Sequence, residues 1–315
     1  MNRSILIFLG VVVVFFAVVM FVLGAGEAQE GALFNFSTDQ GTVVIRFVFV
    51  LVGLAIAYGV YAATKDNAAW EVGTRQVVWM AIGAALYAVF SYLFNGTVFV
   101  VPSVSQVALR PAIAIPMFFG YAFGPIVGFF AGAVGNTFGD ALTGFGLSPQ
   151  WSIGNGLIGF ISGCWMLFKG RKESMNTVLY LSGALAVLTA VLYFMFRNSV
   201  PNMLFFDPDN NVFGDAPISL FAGIAIVVGF VLVLAVRYFF KSNEEIATAV
   251  TWGMLGNILG LLFASLADIF INGLTLPATI VGQFLPAAGP NLIFAAILVP
   301  LLVVAYSSVQ RQSGR

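Results

Sequence analysis

Apolar residues fall in long blocks separated by short polar stretches from one end of the chain to the other. The blocks lie near residues 4–24, 43–64, 77–95, 111–122, 125–142, 151–169, 176–196, 217–239, 247–271 and 288–307. Most run to roughly 20 residues, the length at which a helix crosses a hydrocarbon core about 30 Å thick. Strands of a membrane barrel would alternate in polarity over segments of about 10 residues, and no such alternation is present. The pattern therefore predicts an all-α membrane protein of about ten transmembrane helices. The fourth block is short. It meets the fifth at Phe123-Gly124-Pro125, where glycine permits unusual backbone angles and proline cannot continue the preceding helix, so the two form a hairpin.

Composition supports this reading and removes competing ones. Hydrophobic residues make up 60% of the 315 positions and charged residues 8%, against about 25% charged in a soluble domain. The surplus apolar surface must face lipid. Histidine is absent, which excludes histidine-based triads, metal sites and haem ligation. One cysteine, Cys164, forbids a disulfide within the chain. No phosphate-binding loop is present, so the chain hydrolyses no ATP by such a loop. A net charge of zero argues against nucleic acid. No cofactor is expected, and these features argue against a soluble enzyme.

Lysine and arginine orient the spans. With the N-terminus inside, Arg3, Lys65, Arg75, Lys169, Arg171, Lys172, Arg237, Lys241, Arg311 and Arg315 all fall on the cytoplasmic side, whereas Arg110 and Arg197 fall outside and Arg46 lies near the outer end of the second span. Both termini are then cytoplasmic, in the cell membrane. The first block could instead be a signal peptide cleaved near Ala28, although its apolar run is long for one.

Four segments follow. Residues 1–76 form a two-helix extension in which nothing resembles a site. Residues 77–170 carry the densest Gly, Pro and intramembrane polar residues, residues 171–246 form a plainer inserted pair, and polar residues return in 247–315. Charged and polar side chains inside a membrane are costly and mark functional positions. Here they are Asn136, Thr137, Asp140, Asn155, Asn257, Asp268, Gln283 and Asn291. Asp140, Asn155, Asp268, Gln283 and Asn291 converge toward the outer side although their helices alternate in direction. Asn136 and Asp140 are one turn apart on one face, and Trp151 lies one turn before Asn155. The set predicts a polar pocket with an aromatic wall; taken singly, each residue could equally satisfy a helix end. Ala81, Ala84, Ala85 and Ala88 form a small-residue stripe on the third helix where another backbone can approach, either within the chain or from a partner. Gly128, Gly132, Gly135 and Gly139 fall on one face of the fifth and are expected to serve close packing.

The stretch RPAIAIPMFFGYAFGPIVGFFAGAVGNTFGDALTGFGLSPQWSIGNGLIGFISG, Arg110 to Gly163, resembles the substrate-binding S component of energy-coupling factor (ECF) transporters. It has a short helix, a Phe-Gly-Pro turn, a glycine-rich helix with Gly135-x-x-x-x-Asp140, an outer loop and a second glycine-rich helix. FLPAAGPNLIFAAILVPLLVVAY is similar to the family's last helix, with an early Asn291 and a late Pro300. The resemblance covers about half of the chain. It implies a six-helix vitamin-binding core capped by the loop from Asn95 to Arg110, with riboflavin-type and general vitamin branches most similar. It implies a substrate site drawn from Arg110, Asn136, Asp140, Trp151, Asn155, Asp268, Gln283 and Asn291. It also implies docking through Ala81, Ala84, Ala85 and Ala88 onto a transmembrane coupling subunit driven by two ATPase subunits. The chain departs from the family in its helix number, since the pair at 176–239 interrupts the core. Were 176–196 the family's fifth helix, Asp268 would leave the pocket. Phe99, Phe145, Trp151 and Phe284 could stack on a planar ring or anchor the membrane interface. A self-sufficient ion-coupled carrier using Asp140 and Asp268, an intramembrane paired-carboxylate enzyme and a purely structural subunit are the competing readings.

Overall fold

The computed structural model describes residues 3–26, 31–95, 100–101, 107–144, 146–200, 205–207, 212–214, 218 and 220–313. Most of the described residues are helical. Helix α1 (Arg3–Val18) runs on through a π-helical turn, Val19–Leu23, and is followed by α2 (Val43–Ala63) and α3 (Thr74–Asn95). A 3-10 turn, Pro111–Ile113, leads into α4 (Ala114–Phe123), α5 (Pro125–Thr143) and α6 (Pro149–Gly163). Then come α7 (Arg171–Phe196), α8 (Leu220–Phe239), α9 (Glu244–Ile271), the short α10 (Leu276–Thr279), a π turn at Ile280–Phe284, and α11 (Leu285–Gln312). Two small antiparallel ribbons lie in the connections: β1 (Val100–Val101) with β2 (Val107–Ala108), and β3 (Phe205–Asp207) with β4 (Val212–Gly214).

Among the described residues, 7 helical segments are long and apolar enough to cross a bilayer, and Pro111–Phe123 is a shorter apolar one. The expectation of about ten rested on counting α4, α5 and α6 as well. Helices α4 and α6 have 10 and 15 residues, and the 19 residues of α5 are diluted by glycine, Asn136, Thr137 and Asp140. The last helix also begins well before the predicted residue 288, because prolines in Leu285–Gln312 occupy its first turn and interior without ending it. Proline is tolerated in membrane helices when neighbours satisfy the freed carbonyls. Between α4 and α5 the predicted turn is present: Gly124 has φ 104°, and Pro125 opens α5.

Helix α9 is the central element, with 67% of its apolar window buried against 33% for α8. It packs on α6, which packs on α5, which packs on α3; α4 lies against α5 and α6, and α11 spans α9, α8 and α4. Helices α1, α2, α7 and α8 stand outside this group, α2 against α6 and α9, α7 against α8 and α9. Glycine sets the spacing. A Cβ on Gly159 would sit 2.1 Å from the Gly128 carbonyl oxygen, and one on Gly154 would sit 2.7 Å from the Gly260 carbonyl oxygen. The backbones of α5, α6 and α9 therefore touch directly.

The close packing expected of the α5 glycines is present, and the alanine stripe expected on α3 is corrected in part. The glycine face of α5 serves two neighbours: Gly128 and Gly132 meet α6 at Gly159 and Asn155, whereas Gly135 and Gly139 meet α3 at Ala84, Tyr87 and Ser91. The alanine stripe of α3 divides in the same way. Ala84 and Ala88 are buried at 7% and 6% exposure in the contact with α5, while Ala81 and Ala85 are exposed beside Ile82 and Leu86. The stripe lies across the edge of the buried face, so Ala84 and Ala88 are already covered by this chain and cannot form a docking surface.

Candidate polar cavity

Five helix ends and the segment entering α4 meet at one end of the bundle around a cavity of about 220 Å³. Arg46 comes from the first turns of α2, Arg110 from the residue before the 3-10 turn, and Asp140 from the end of α5. Gln150, Trp151 and Asn155 come from the start of α6, Asp268 from the last turn of α9, and Gln283 and Asn291 from the π turn and first turns of the final helix. Ser148 and Pro149 open α6, and the left-handed Gly144 (φ 77°) closes α5.

Of the eight candidate residues read from the sequence, Arg110, Asp140, Trp151, Asn155, Asp268, Gln283 and Asn291 line this cavity. Asn136 lies behind the wall with 0% exposure. It accepts from Arg110 and donates to Asp140 Oδ2 at 2.7 Å and to Ser152 Oγ at 3.2 Å. Thr137 and Asn257 take no part: Thr137 bonds back to the Ala133 carbonyl at 2.9 Å, and Asn257 ties α9 to the Ala288 carbonyl of α11 at 2.9 Å. Phe284 is fully buried at 0% exposure and does not line the cavity, so that among the described residues Trp151 is its aromatic wall. Phe99, Phe145, most of the proposed capping loop and Ala28 lie outside the described residues.

The two carboxylates are held differently. Asp140 forms an ion pair with Arg110 at 2.9 Å. Burial alone would push the Arg110 guanidinium down, but Asp140 and Tyr87 outweigh it and hold the group above its ordinary value. Asp268 has three neutral donors instead: Gln150 Nε2 at 2.8 Å, the Trp151 indole at 2.9 Å and Gln283 Nε2 at 2.7 Å. Charge-assisted bonds of this kind are the stronger class and replace the hydration a carboxylate loses inside the bundle. Among the described residues no hydrogen bond joins Asp140 to Asp268; each is bound to its own set. Beside them the Tyr87 hydroxyl donates to Asn155 Oδ1 at 2.7 Å, and Asn155 Nδ2 donates to the Trp151 carbonyl at 2.8 Å.

Sequence reading missed Arg46 and Gln150. The N-terminal extension was expected to hold no site residue, yet Arg46 is on the cavity wall and donates to Gln150 Oε1 at 3.1 Å. A charge four residues into an apolar helix was the available signal. The α1–α2 connection also grips the link after α5: the Asn35 amide donates to the Ala141 carbonyl and the Leu147 amide to the Ser37 carbonyl, both at 2.8 Å. Helix α7 contributes nothing to the cavity, and Asp268 remains in it because α9, not α7, packs beside α6 there.

An apolar helical bundle built around a polar cavity at one end defines a multi-pass membrane protein. Residues 71–215, just under half of the chain, match the family model for the S component of the ECF-type riboflavin transporter. UPF0397 proteins of Vibrio atlanticus and Aliivibrio salmonicida are 29% and 28% identical over 175 and 177 residues, covering 54% and 55% of this chain and 93% and 91% of theirs. A UPF0397 protein of Aliivibrio fischeri is 36% identical over 105 residues, 33% of this chain and 55% of its own. No solved structure matches the chain. Nearly the whole of the first two relatives thus aligns with about half of this protein, which carries helices beyond their length.

Proposed function

We propose that this chain is the substrate-binding subunit of an ECF-type importer, which captures a vitamin-class small molecule outside the cell membrane and releases it inside. The observation that carries the reading is the polar cavity itself, where Arg110, Asp140, Trp151 and Asn155 from the family-matched stretch meet Asp268, Gln283 and Asn291 from beyond it. Such a cavity suits a cargo with hydrogen-bonding groups on several edges and one flat ring against Trp151. The riboflavin branch is favoured by the family likeness. In this reading α3–α6, α9 and α11 are the S-component core, α1–α2 and α7–α8 are additions, all ten long elements cross or enter the bilayer, and both termini are cytoplasmic. The exposed Ala81 and Ala85 are the part of the α3 stripe open to a transmembrane coupling subunit, which two ATPase subunits would drive.

The test is purification of the tagged chain from its native membrane, followed by binding of radiolabelled riboflavin and other B vitamins in detergent. Copurification of a coupling subunit and ATPases together with binding of a vitamin is expected. Absence of both overturns the proposal, as would gradient-driven uptake into liposomes by this chain alone.

A further inference from the structure

Arg110 is paired directly with Asp140, whereas the second guanidinium on the cavity wall, Arg46, feels the charges of Asp268 and Asp39 without an ion-pair contact to either among the described residues. Arg46 is 8% exposed. Its Nε donates to Thr42 Oγ1 at 2.8 Å and its Nη1 to Gln150 Oε1 at 3.1 Å, and among the described residues the ion pair is that of Arg110 with Asp140. A guanidinium has five N–H groups, so these two bonds leave more than half of its donors uncommitted. Asp268 does not take them up. Its Oδ1 is held by Gln150 and its Oδ2 by Trp151 and Gln283, and the Gln150 amide stands between the two charges. With its oxygen toward Arg46 and its nitrogen toward Asp268, Gln150 orients the guanidinium without saturating it.

Arg46 also occupies a junction. It lines both the 220 Å³ cavity and a neighbouring one of about 510 Å³, and Gly146 and Ser148 are on both walls as well. The second cavity is otherwise bounded by Leu147 and the α1–α2 connection, including Ser37, Thr38, Asp39 and Gln40. A largely buried cation with free donors, on the wall shared by two cavities, is costly unless an anion completes it.

We propose that Arg46 is the anion-recognising residue of the cavity, and that the cargo carries a carboxylate or phosphate group docked on its free N–H edge. This rests on the transport reading and narrows its substrate class. It also gives the extension a purpose: α1–α2 precede the family-matched residues 71–215, yet they supply the specificity-determining charge.

The experiment uses the full chain in lipid nanodiscs with matched probes that differ only in charge: riboflavin against its 5′-phosphate, and pantothenate against pantothenol. Titrations are run on the wild type and on Arg46→Gln and Arg46→Lys. In at least one pair the anionic member is expected to bind about tenfold or more tightly than the neutral one, a preference lost in Arg46→Gln and partly kept in Arg46→Lys. The pair that responds distinguishes phosphate from carboxylate. Should Arg46→Gln fail to fold, Gln150→Glu supplies an internal partner for Arg46 and is expected to weaken the anionic member selectively. Equal or tighter binding of the neutral members, a preference unchanged by these substitutions, or no binding of either anion overturns the proposal. Loss of copurifying ATPase subunits would instead count against the transport reading, so the two failures are distinguishable.

Discussion

The indole N–H of Trp151 donates to Asp268 Oδ2 at 2.9 Å, joining the first turn of α6 to the last turn of α9 across 117 positions of sequence. The bond fixes the aromatic wall of the cavity and partly replaces the water that a buried carboxylate has lost. One contact thus couples the shape of the cavity to its charge.

Replacing Trp151 by Phe keeps the ring and removes the donor. A hydrogen bond to a charged group is worth about 1.5–3 kcal/mol, so Trp151→Phe is expected to destabilise the chain by that order, read as a lower melting temperature in detergent. In an Asp268→Asn background the same change should cost less, because the acceptor is no longer charged. Equal losses in the two backgrounds would show that the bond contributes nothing specific.

The Arg110–Asp140 pair is predicted to behave as a buried unit. The two side chains are 18% and 9% exposed, and removing one member of a buried pair costs about 3–5 kcal/mol, much of it the stranded partner. Arg110→Ala and Asp140→Ala should each sit near the low end of that range because of the residual exposure. The double variant should lose clearly less than their sum. Additive losses in a double-mutant cycle, read by thermal melting, would mean that the pair is screened by water.

Most of the helices were legible because a bilayer demands long apolar runs, and the candidate residues were legible because polar groups inside such runs are rare. Arg46 escaped because a cation at the end of a span reads equally well as an interfacial anchor; only the fold brings Gln150 beneath it. Periodicity identified the alanine and glycine faces but could not name their neighbours, so Ala84 and Ala88 were grouped with Ala81 and Ala85 although α5 covers only the first pair. The start of the last helix was hidden by Pro286, Gly289 and Pro290, which signal a loop in water and are absorbed by a helix in this bundle.

Glycine contacts give a sharper test of the packing. An alanine at Gly159 would bring its Cβ to 2.1 Å from the Gly128 carbonyl oxygen and 2.4 Å from its carbonyl carbon, both rigid backbone atoms. Helices α5 and α6 would have to separate, at a cost of about 1–3 kcal/mol or more for overpacking. Gly59 of α2 has nothing within 4 Å, and Gly59→Ala should be neutral or slightly stabilising through helix propensity. Similar melting temperatures for the two variants would contradict the backbone contact.

The divided alanine stripe separates folding from partner binding. Ala85 is exposed, so Ala85→Trp adds bulk toward lipid and is expected to leave the melting temperature and ligand affinity of the isolated chain within about 0.5 kcal/mol of wild type. In the complete transporter it should block the approach of a coupling subunit and abolish ATP-dependent uptake. Ala84 is 7% exposed, and its carbonyl lies 2.8 Å from the position a Gly135 Cβ would take. Ala84→Trp must therefore push α3 off α5, and the isolated chain itself should be destabilised. Full uptake by Ala85→Trp would remove the exposed half of the stripe from the docking surface, whereas an intact, ligand-binding Ala84→Trp would contradict the α3–α5 packing on which that surface is defined.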